Sequence, residues 1–253
     1  MKTIKIAHLY SDLMNLYGEN GNVRFLKYKL EEQDIKTEIH FLSIDDKIDF
    51  NKYDFYYIGT GSHENQELVL NDISKYKDDI KKAIDDNKYF LVTGNALELF
   101  GNKIISDENE TDALEIFDFE TKNEEFRIVG EQFYETDLIN QKIIGFQNRD
   151  CVMTKVDTPL FSVVKGTGFN PNENNEGIRM NNFYGSYLLG PILVRNPYLT
   201  DCLVKQICKE NDIKYKKPNY DDECYKAYSE YLKNFHENQE WFSFFIKKIR
   251  LCI

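Results

Sequence analysis

Hydrophobic positions along the first hundred residues alternate between a strand-like and a helix-like spacing. Asn22 is placed to cap a helix whose apolar face is Val23, Leu26 and Leu30, and a second helical pattern runs from Leu68 to Ala83. Short apolar runs predict four strands, at Thr3–Leu9, Lys36–Leu42, Asp54–Ile58 and Tyr89–Val92. Strands that alternate with helices predict an α/β fold with a mostly parallel sheet flanked by helices on both faces.

From Leu114 onward the pattern is mainly that of strands, which we interpret as an extension of the sheet. These strands are predicted at Ile116–Thr121, Phe126–Phe133, Lys142–Gln147, Leu160–Val164 and Asn182–Leu189. Asn196 and Pro197 then predict a helix start, with the asparagine as N-cap and the proline in the first turn. We divide the chain into a domain over residues 1–215 and a C-terminal helical extension over residues 216–253.

Composition narrows the classes of partner. The 253 residues carry a formal net charge of −11, which argues against binding to nucleic acid or to anionic lipid. The five cysteines form no C-x-x-C pair, so we predict a reducing, cytoplasmic location without disulfides or a zinc site. We expect no secretion signal, no membrane-spanning segment, no metal and no cofactor.

Two glycine-bearing segments follow predicted parallel strands, Gly59–Ser62 and Thr93–Asn95. Ligands bind at this edge of open α/β sheets, and glycine lets the backbone approach a ligand closely. The alternative interpretation is that these glycines only turn the chain. Neither segment is a G-x-G-x-x-G or a Walker motif, so nucleotide binding is not predicted.

The segment around Gly94 has the strand, sharp turn and helix of a nucleophile elbow. Glycine supplies neither a thiol nor a hydroxyl there. Thr93 or Ser62 with His63 is a conceivable replacement pair, although an exposed loop histidine is the simpler interpretation. The terminal stretch from Trp241 to Ile253 combines aromatic and basic residues, which fits a packing helix better than a membrane-surface or partner-docking segment.

Several strings together resemble the cobyric-acid-synthase-like (CobB/CobQ-type) glutamine amidotransferases, and within them the amidotransferase subunits of lipid II isoglutaminyl synthases. The similarity spans about residues 3 to 215. The strings that carry it are His8–Asn22, Ile58–Ser62 with Glu64–Gln66, Gly145–Asn148, Glu176–Ile178, and Gly185–Leu193 with Asn196–Pro197.

The resemblance implies a three-layer, flavodoxin-like class I amidotransferase fold. In this family a cysteine at the elbow attacks the amide of glutamine, a histidine moves the proton, and ammonia passes to a partner. The partner implied is an ATP-dependent, Mur-ligase-like subunit that amidates the lipid II stem peptide.

This sequence departs from the family at the two reactive positions. Its motifs align Gly94 with the cysteine and Leu189 with the histidine, and the family's Asn-His-x-Gly-Arg string becomes Asn148–Val152. Arg127 aligns with an arginine that positions glutamine, and we expect it to be a buried clamp for a carboxylate. The substrate-binding residues we predict are Arg127, Gly59, Gly61, Ser62 and Asn95.

We therefore predict a catalytically degenerate amidotransferase subunit that forms a heterodimer with a ligase and that still binds glutamine or a related amino acid. Two alternatives stay open at this point. One is an active glutaminase that uses other residues, and the other is a binding or regulatory module without enzymatic activity. Cys151 is a nucleophile candidate for the first alternative, but nothing in the sequence places a base beside it.

Overall fold

The computed structural model describes residues 3–106, 109–154 and 156–234. These residues form two β-sheets, five complete α-helices and a further helical segment over residues 223–234. The strands are β1 Ile4–Leu9, β2 Thr37–Leu42, β3 Phe55–Ile58, β4 Tyr89–Thr93, β5 Lys103–Ile105, β6 Glu110–Asp112, β7 Glu120–Thr136, β8 Ile139–Met153, β9 Phe161–Lys165, β10 Asn175–Glu176, β11 Ile178–Met180 and β12 Phe183–Ser186. The helices are α1 Asn20–Glu31, α2 His63–Ile73, α3 Lys77–Asp85, α4 Ile192–Arg195 and α5 Pro197–Glu210.

The first sheet is six-stranded, in the order β11-β12-β4-β3-β1-β2. Its strands are parallel except for β11, which runs antiparallel to β12. Every residue of β3, β4 and β12 is buried. Two-sided burial explains why these strands are continuously apolar rather than alternating.

Helices cover both faces of this sheet. Ile4 and Ile6 of β1 belong to one apolar core with α1 and α5, whereas Ala7 and Leu9 belong to the other core with α2 and α3. Successive strand residues point to opposite faces, so one strand contributes to both cores. The predicted three-layer α/β architecture is confirmed.

Two details of the helices differ from the sequence prediction. The helix that Asn22 was expected to cap begins at Asn20, and Asn22 is buried inside it with its amide donating to the Tyr57 hydroxyl at 2.9 Å.

The long helical pattern is interrupted by a 3-10 turn at Ser74–Tyr76, which separates α2 from α3. A 3-10 turn of three residues hardly changes the helical spacing of the apolar residues. The sequence pattern therefore does not show where α2 ends and α3 begins.

The strands of the second half do not simply extend the first sheet. β5 to β10 form a second sheet of six strands, in which the long pair β7 and β8 is antiparallel. Only β11 and β12 join the first sheet. The prediction of one extended sheet was wrong because the period of a strand does not identify its partner.

A buried asparagine fastens the second sheet to α5. Asn196 is the N-cap position and Pro197 the first residue of α5, but the asparagine side chain makes no capping bond to its own helix. Its Oδ1 accepts from the Ile144 N–H and its Nδ2 donates to the Ile144 carbonyl, both at 2.8 Å. The predicted helix start is confirmed, and the predicted side-chain cap is wrong because the pairing with β8 takes its place.

Residues 223–234 are helical and pack on the domain described above. The buried Tyr225 donates a hydrogen bond to Asp201 of α5, and the Lys29 ammonium of α1 lies 5.2 Å from the centre of its ring. The division at residue 215 stays a prediction, and the stretch Trp241–Ile253 lies outside the described residues. Across the described ranges, no helix is both long and apolar enough to cross a bilayer.

Replacing Asn196 with alanine should lower the free energy of unfolding by about 2 to 4 kcal/mol, because both backbone groups of the buried Ile144 lose their partner. Equilibrium urea unfolding measures this loss. Asn211→Ala is the matched control, since the Asn211 side chain donates to the Ile207 carbonyl at the far end of the same helix. Equal losses in the two variants would contradict a special role for Asn196.

Candidate functional site

A cavity of about 180 Å³ opens at the carboxyl ends of the parallel strands. The loops after β3, β4 and β12 form one side of it, and strands β7 and β8 of the second sheet form the other. Its lining residues are Leu16, Tyr17, Thr60, Gly61, Ser62, His63, Gly94, Asn95, Glu98, Arg127, Asn148, Arg149, Asp150, Tyr187 and Leu189. Of the residues predicted to bind substrate, only Gly59 does not line the cavity.

Gly94 has the backbone of an elbow. It follows β4 directly, begins the 3-10 helix Gly94–Phe100, and has a φ of +63°. This left-handed conformation is strained for residues with a Cβ atom. A Cβ atom added at Gly94 would lie 2.8 Å from Leu189 Cδ2, so the fold brings residues 94 and 189 together.

Thr60 occupies the space that a side chain at position 94 would need. The same added Cβ atom would lie 1.6 Å from Thr60 Oγ1, far inside van der Waals contact. Thr60 is held firmly, since its N–H donates to Glu19 Oε2 at 2.7 Å and its carbonyl accepts from the Leu16 N–H at 2.9 Å. The sequence analysis missed Thr60, because only the tertiary contact makes this residue of the Gly-Thr-Gly string informative.

The glycines of the β3 loop make room for another loop of the protein. A Cβ atom at Gly59 would lie 2.8 Å from both Glu19 Oε2 and the Met14 carbonyl, and one at Gly61 would lie 2.5 Å from Met14 Sδ. The Asn95 amide pairs with both backbone groups of Gly61 at 3.0 Å. These close approaches need glycine whether or not a ligand binds.

Arg127 lies at the mouth of the cavity rather than in a buried position. More than half of its side chain is exposed. Its Nη1 is 3.0 Å from Asp150 Oδ2, and its Nε and Nη2 donate to Asn148 Oδ1. The expectation that Arg127 is buried was wrong, while its role as a clamp for a carboxylate stays a prediction.

The buried guanidinium of the site is Arg149, which the sequence analysis did not single out. It donates to the backbone carbonyls of Cys151, Phe169 and Gly168, and it lies 4.1 Å from the centre of the Tyr187 ring. Arg149 therefore holds β8 against the loop before β10.

Ser62 and His63 do not form a nucleophile pair. The Ser62 hydroxyl accepts from the Asn65 N–H and so caps α2, while the exposed His63 ring has its Nε2 3.4 Å from Asp150. Within the described ranges, no three His, Cys, Asp or Glu residues are arranged to hold a metal ion.

Residues 5–197 match the family of CobB/CobQ-like glutamine amidotransferase domains. The chain belongs to this family. The resemblance predicted from the sequence motifs is confirmed.

Two relatives of this amidotransferase chain have the same description, lipid II isoglutaminyl synthase (glutamine-hydrolyzing) subunit GatD. The protein of Staphylococcus aureus (strain N315) is 32% identical over 225 residues, which cover 88% of this chain and 92% of that protein. The protein of Streptococcus pneumoniae (strain ATCC BAA-255 / R6) is 30% identical, over 87% of this chain and 86% of its own length.

The fold is also found in a solved glutamine amidotransferase. That crystal structure has a TM-score of 0.52 and 13% sequence identity, and the similarity covers 81% of this chain and 97% of the other. The predicted class I amidotransferase fold is thereby confirmed.

The Cys151 thiol of this amidotransferase chain lies beside a carboxyl group. Its Sγ donates to Glu98 Oε1 at 2.9 Å, so the tertiary structure places beside it a carboxyl group that the sequence did not reveal. The thiol is nevertheless buried beneath the cavity wall and does not line the cavity. Burial raises the pKa of Cys151 well above the ordinary value of a thiol, and the nearby Glu98 raises it further. A protonated, enclosed thiol is a poor nucleophile.

Two other carboxyl groups near the site are buried as well. Burial raises the pKa of Glu19 to about 7, against the opposing hydrogen bonds from Thr60 and Thr93. Burial also raises the pKa of Glu176 to about 7, although the Tyr187 N–H and the Ser186 hydroxyl donate to it. Both groups thus bind protons more tightly in the folded chain than in the unfolded one.

Gly94→Cys should lower the free energy of unfolding by about 2 to 4 kcal/mol, because the new side chain meets Thr60 in a strained backbone conformation. Adding Thr60→Gly should recover at least about 1 kcal/mol, measured as the coupling energy of a double-mutant cycle in urea. Thr60→Val, which keeps the branched shape, is the control and should recover nothing. Strict additivity of Thr60→Gly and Gly94→Cys would show that the two side chains do not compete for space.

Glu19→Gln should flatten the dependence of stability on pH. A folded pKa near 7 against an ordinary value of 4.5 means that the contribution of Glu19 is complete below about pH 4.5 and is lost as the pH rises through 7. The free energy of unfolding that Glu19 contributes and loses over this range is on the order of 3 kcal/mol. The glutamine variant cannot titrate and does not show this loss. Urea unfolding from pH 5 to pH 8 measures the difference, and parallel profiles for wild type and variant would contradict the assignment.

Proposed function

We propose that this chain is the amidotransferase-type subunit of a lipid II isoglutaminyl synthase and that it does not hydrolyse glutamine. In this proposal it forms a heterodimer in the cytoplasm with an ATP-dependent, Mur-ligase-like subunit, which amidates the lipid II stem peptide in peptidoglycan synthesis. The two GatD relatives, aligned over nearly their whole lengths, support the partner and the pathway.

The observation that supports the loss of hydrolysis is the set of contacts around Gly94 at the elbow. A class I amidotransferase needs a thiolate at the elbow and a base within hydrogen-bond reach of it. Here position 94 has no side chain, Thr60 Oγ1 occupies the place of its Cβ atom, and Leu189 lies opposite. Restoring a thiol alone would not rebuild the site, since Thr60 blocks it.

One rival function has an observation in its favour. Cys151 with Glu98 is a thiol and carboxylate pair, and an active glutaminase of unfamiliar chemistry would use it. Its enclosure and its raised pKa argue against this function, because glutamine has no path to the sulfur along the cavity wall.

The test is glutamate release from glutamine by the purified chain, alone and with its ligase subunit, together with formation of amidated lipid II. We expect no glutamate release by the wild type, and amidation with ammonium chloride but not with glutamine as nitrogen source. The triple variant Thr60→Gly, Gly94→Cys, Leu189→His should release glutamate, because it has a thiol, a base and the space for both.

The double variant Gly94→Cys, Leu189→His is the matched control and should be at least about tenfold slower than the triple variant, because Thr60 still crowds the thiol. Glutamate release by the wild type at enzymatic rates would refute the proposal, and loss of that release in Cys151→Ala would establish the rival. If the chain neither binds a ligase nor changes amidation in cells, a binding or regulatory module is the better description.

A further inference from the structure

A groove of about 850 Å³ lies beside α5, and we call it the α5 groove. Its walls are the turn that joins β7 to β8, one face of α5, and the segment over residues 211–222 that follows α5. It shares no lining residue with the cavity at Gly94. Small-molecule sites have volumes of roughly 300 to 1,000 Å³, so the α5 groove is large enough for a ligand of its own.

Tyrosine rings form much of the groove surface. Tyr198 comes from α5, and Tyr215 and Tyr220 come from the segment after it. The rings of Tyr198 and Tyr220 are stacked, with centres 5.8 Å apart and planes 25° apart, and Tyr220 is 54% exposed. An exposed tyrosine ring supported by a second ring offers a rigid flat face on which an aromatic ring system stacks.

The charged residues that line the groove are two lysines and one aspartate. Lys205 and Lys217 are exposed, and neither ammonium forms a salt bridge within the described part of the chain. Asp201 is half-buried and already accepts from the Tyr225 hydroxyl at 2.7 Å. In a chain of net charge −11, two unpaired ammonium groups in one groove are a local excess of positive charge, which favours an anion.

The tyrosine hydroxyls do not oppose an anion. Burial raises the pKa of Tyr198 and of Tyr215 above the ordinary value of a phenol. Both hydroxyls therefore stay protonated at neutral pH, and a protonated hydroxyl can donate to a phosphate or carboxylate oxygen.

The spacing along α5 separates the aromatic end of the groove from a charged end. Tyr198 and Lys205 lie on the same face of the helix and are two turns apart, which is about 10 Å along its axis. An uncharged apolar ligand would leave the ammonium groups unpaired, and a cation would be repelled by them. A ligand with an aromatic ring at one end and a charged phosphate group at the other uses both ends.

We propose that the α5 groove binds a nucleoside diphosphate, with its base stacked on the Tyr198–Tyr220 pair and its phosphates held by Lys205 and Lys217. The site uses no glycine-rich loop, so no sequence motif indicates it. The proposal goes beyond the proposed function and does not rest on it, because it follows from a groove that the elbow does not share.

The experiment is isothermal titration calorimetry of the full chain with ADP and with UDP, at low ionic strength and without divalent metal ions. Adenosine, uridine and inorganic diphosphate are titrated as the two halves of these ligands. We expect saturable binding of at least one nucleotide, with each of its halves at least about tenfold weaker. The proposal is overturned if neither nucleotide binds saturably, or if inorganic diphosphate binds as tightly as the nucleotide.

The double variant Lys205→Gln, Lys217→Gln should bind the nucleotide at least about tenfold more weakly, because both charge-assisted contacts to phosphate are lost. The matched control is Lys209→Gln, Lys214→Gln. These two lysines are exposed on the same two elements, lie outside the groove lining and give the same change in net charge. The control should bind as the wild type does, and equal losses in the two double variants would contradict a built phosphate contact.

Tyr220→Leu should weaken binding at least about fivefold, since stacking of one base on an aromatic side chain contributes about 1 to 3 kcal/mol. Tyr220→Phe keeps the ring and should bind as the wild type does. Unchanged binding in Tyr220→Leu would overturn the stacked arrangement. Tighter binding of a glutamate-rich peptide than of either nucleotide would also overturn the proposal and would assign the groove to an acidic protein partner.

The lysine and tyrosine variants leave Thr60, Gly94 and Leu189 unchanged. Glutamate release and amidation are measured separately from nucleotide binding, so this proposal and the proposed function fail separately.

Discussion

The buried carboxyl group of Glu19 links the polar groups at the carboxyl edge of the parallel sheet, and the loops around the cavity depend on it. A continuous set of buried hydrogen bonds runs through Thr60, Glu19, Thr93, Tyr57, Asn22 and Leu193. It joins the loop after β1, the ends of β3 and β4, and the start of α4. Each of these groups would be costly to bury alone, and together they fix the loops that surround the cavity.

This network positions Thr60 beside the turn at Gly94. Thr60 is held from behind by Glu19, so its side chain projects over the bare backbone of Gly94. Leu189 closes the opposite side with an apolar group. Thr60 and Leu189 therefore leave no space for a side chain at position 94 in this structure.

Hydrophobic period and turn chemistry predicted the elements that they alone decide. The parallel strands, the helix start at Pro197 and the elbow at Gly94 were predicted because a buried strand, a fixed φ and a positive φ each demand particular residue types. The predicted helix caps at Asn22 and Asn196 and the predicted burial of Arg127 were wrong. The helix-capping preference of asparagine was overridden by buried tertiary partners, and the alignment of Arg127 carried no information about exposure.

The sequence by itself determined the family and the layered α/β architecture, and its motifs predict a glycine and a leucine at the family's cysteine and histidine positions. These properties are local, since each depends on spacing and residue type along the chain. Only the tertiary structure decided that Thr60 Oγ1 lies where a Cβ atom at position 94 would be, that Arg149 donates to backbone carbonyls, and that Glu98 accepts from the Cys151 thiol. These facts depend on contacts between residues far apart in sequence, where packing and burial set the outcome.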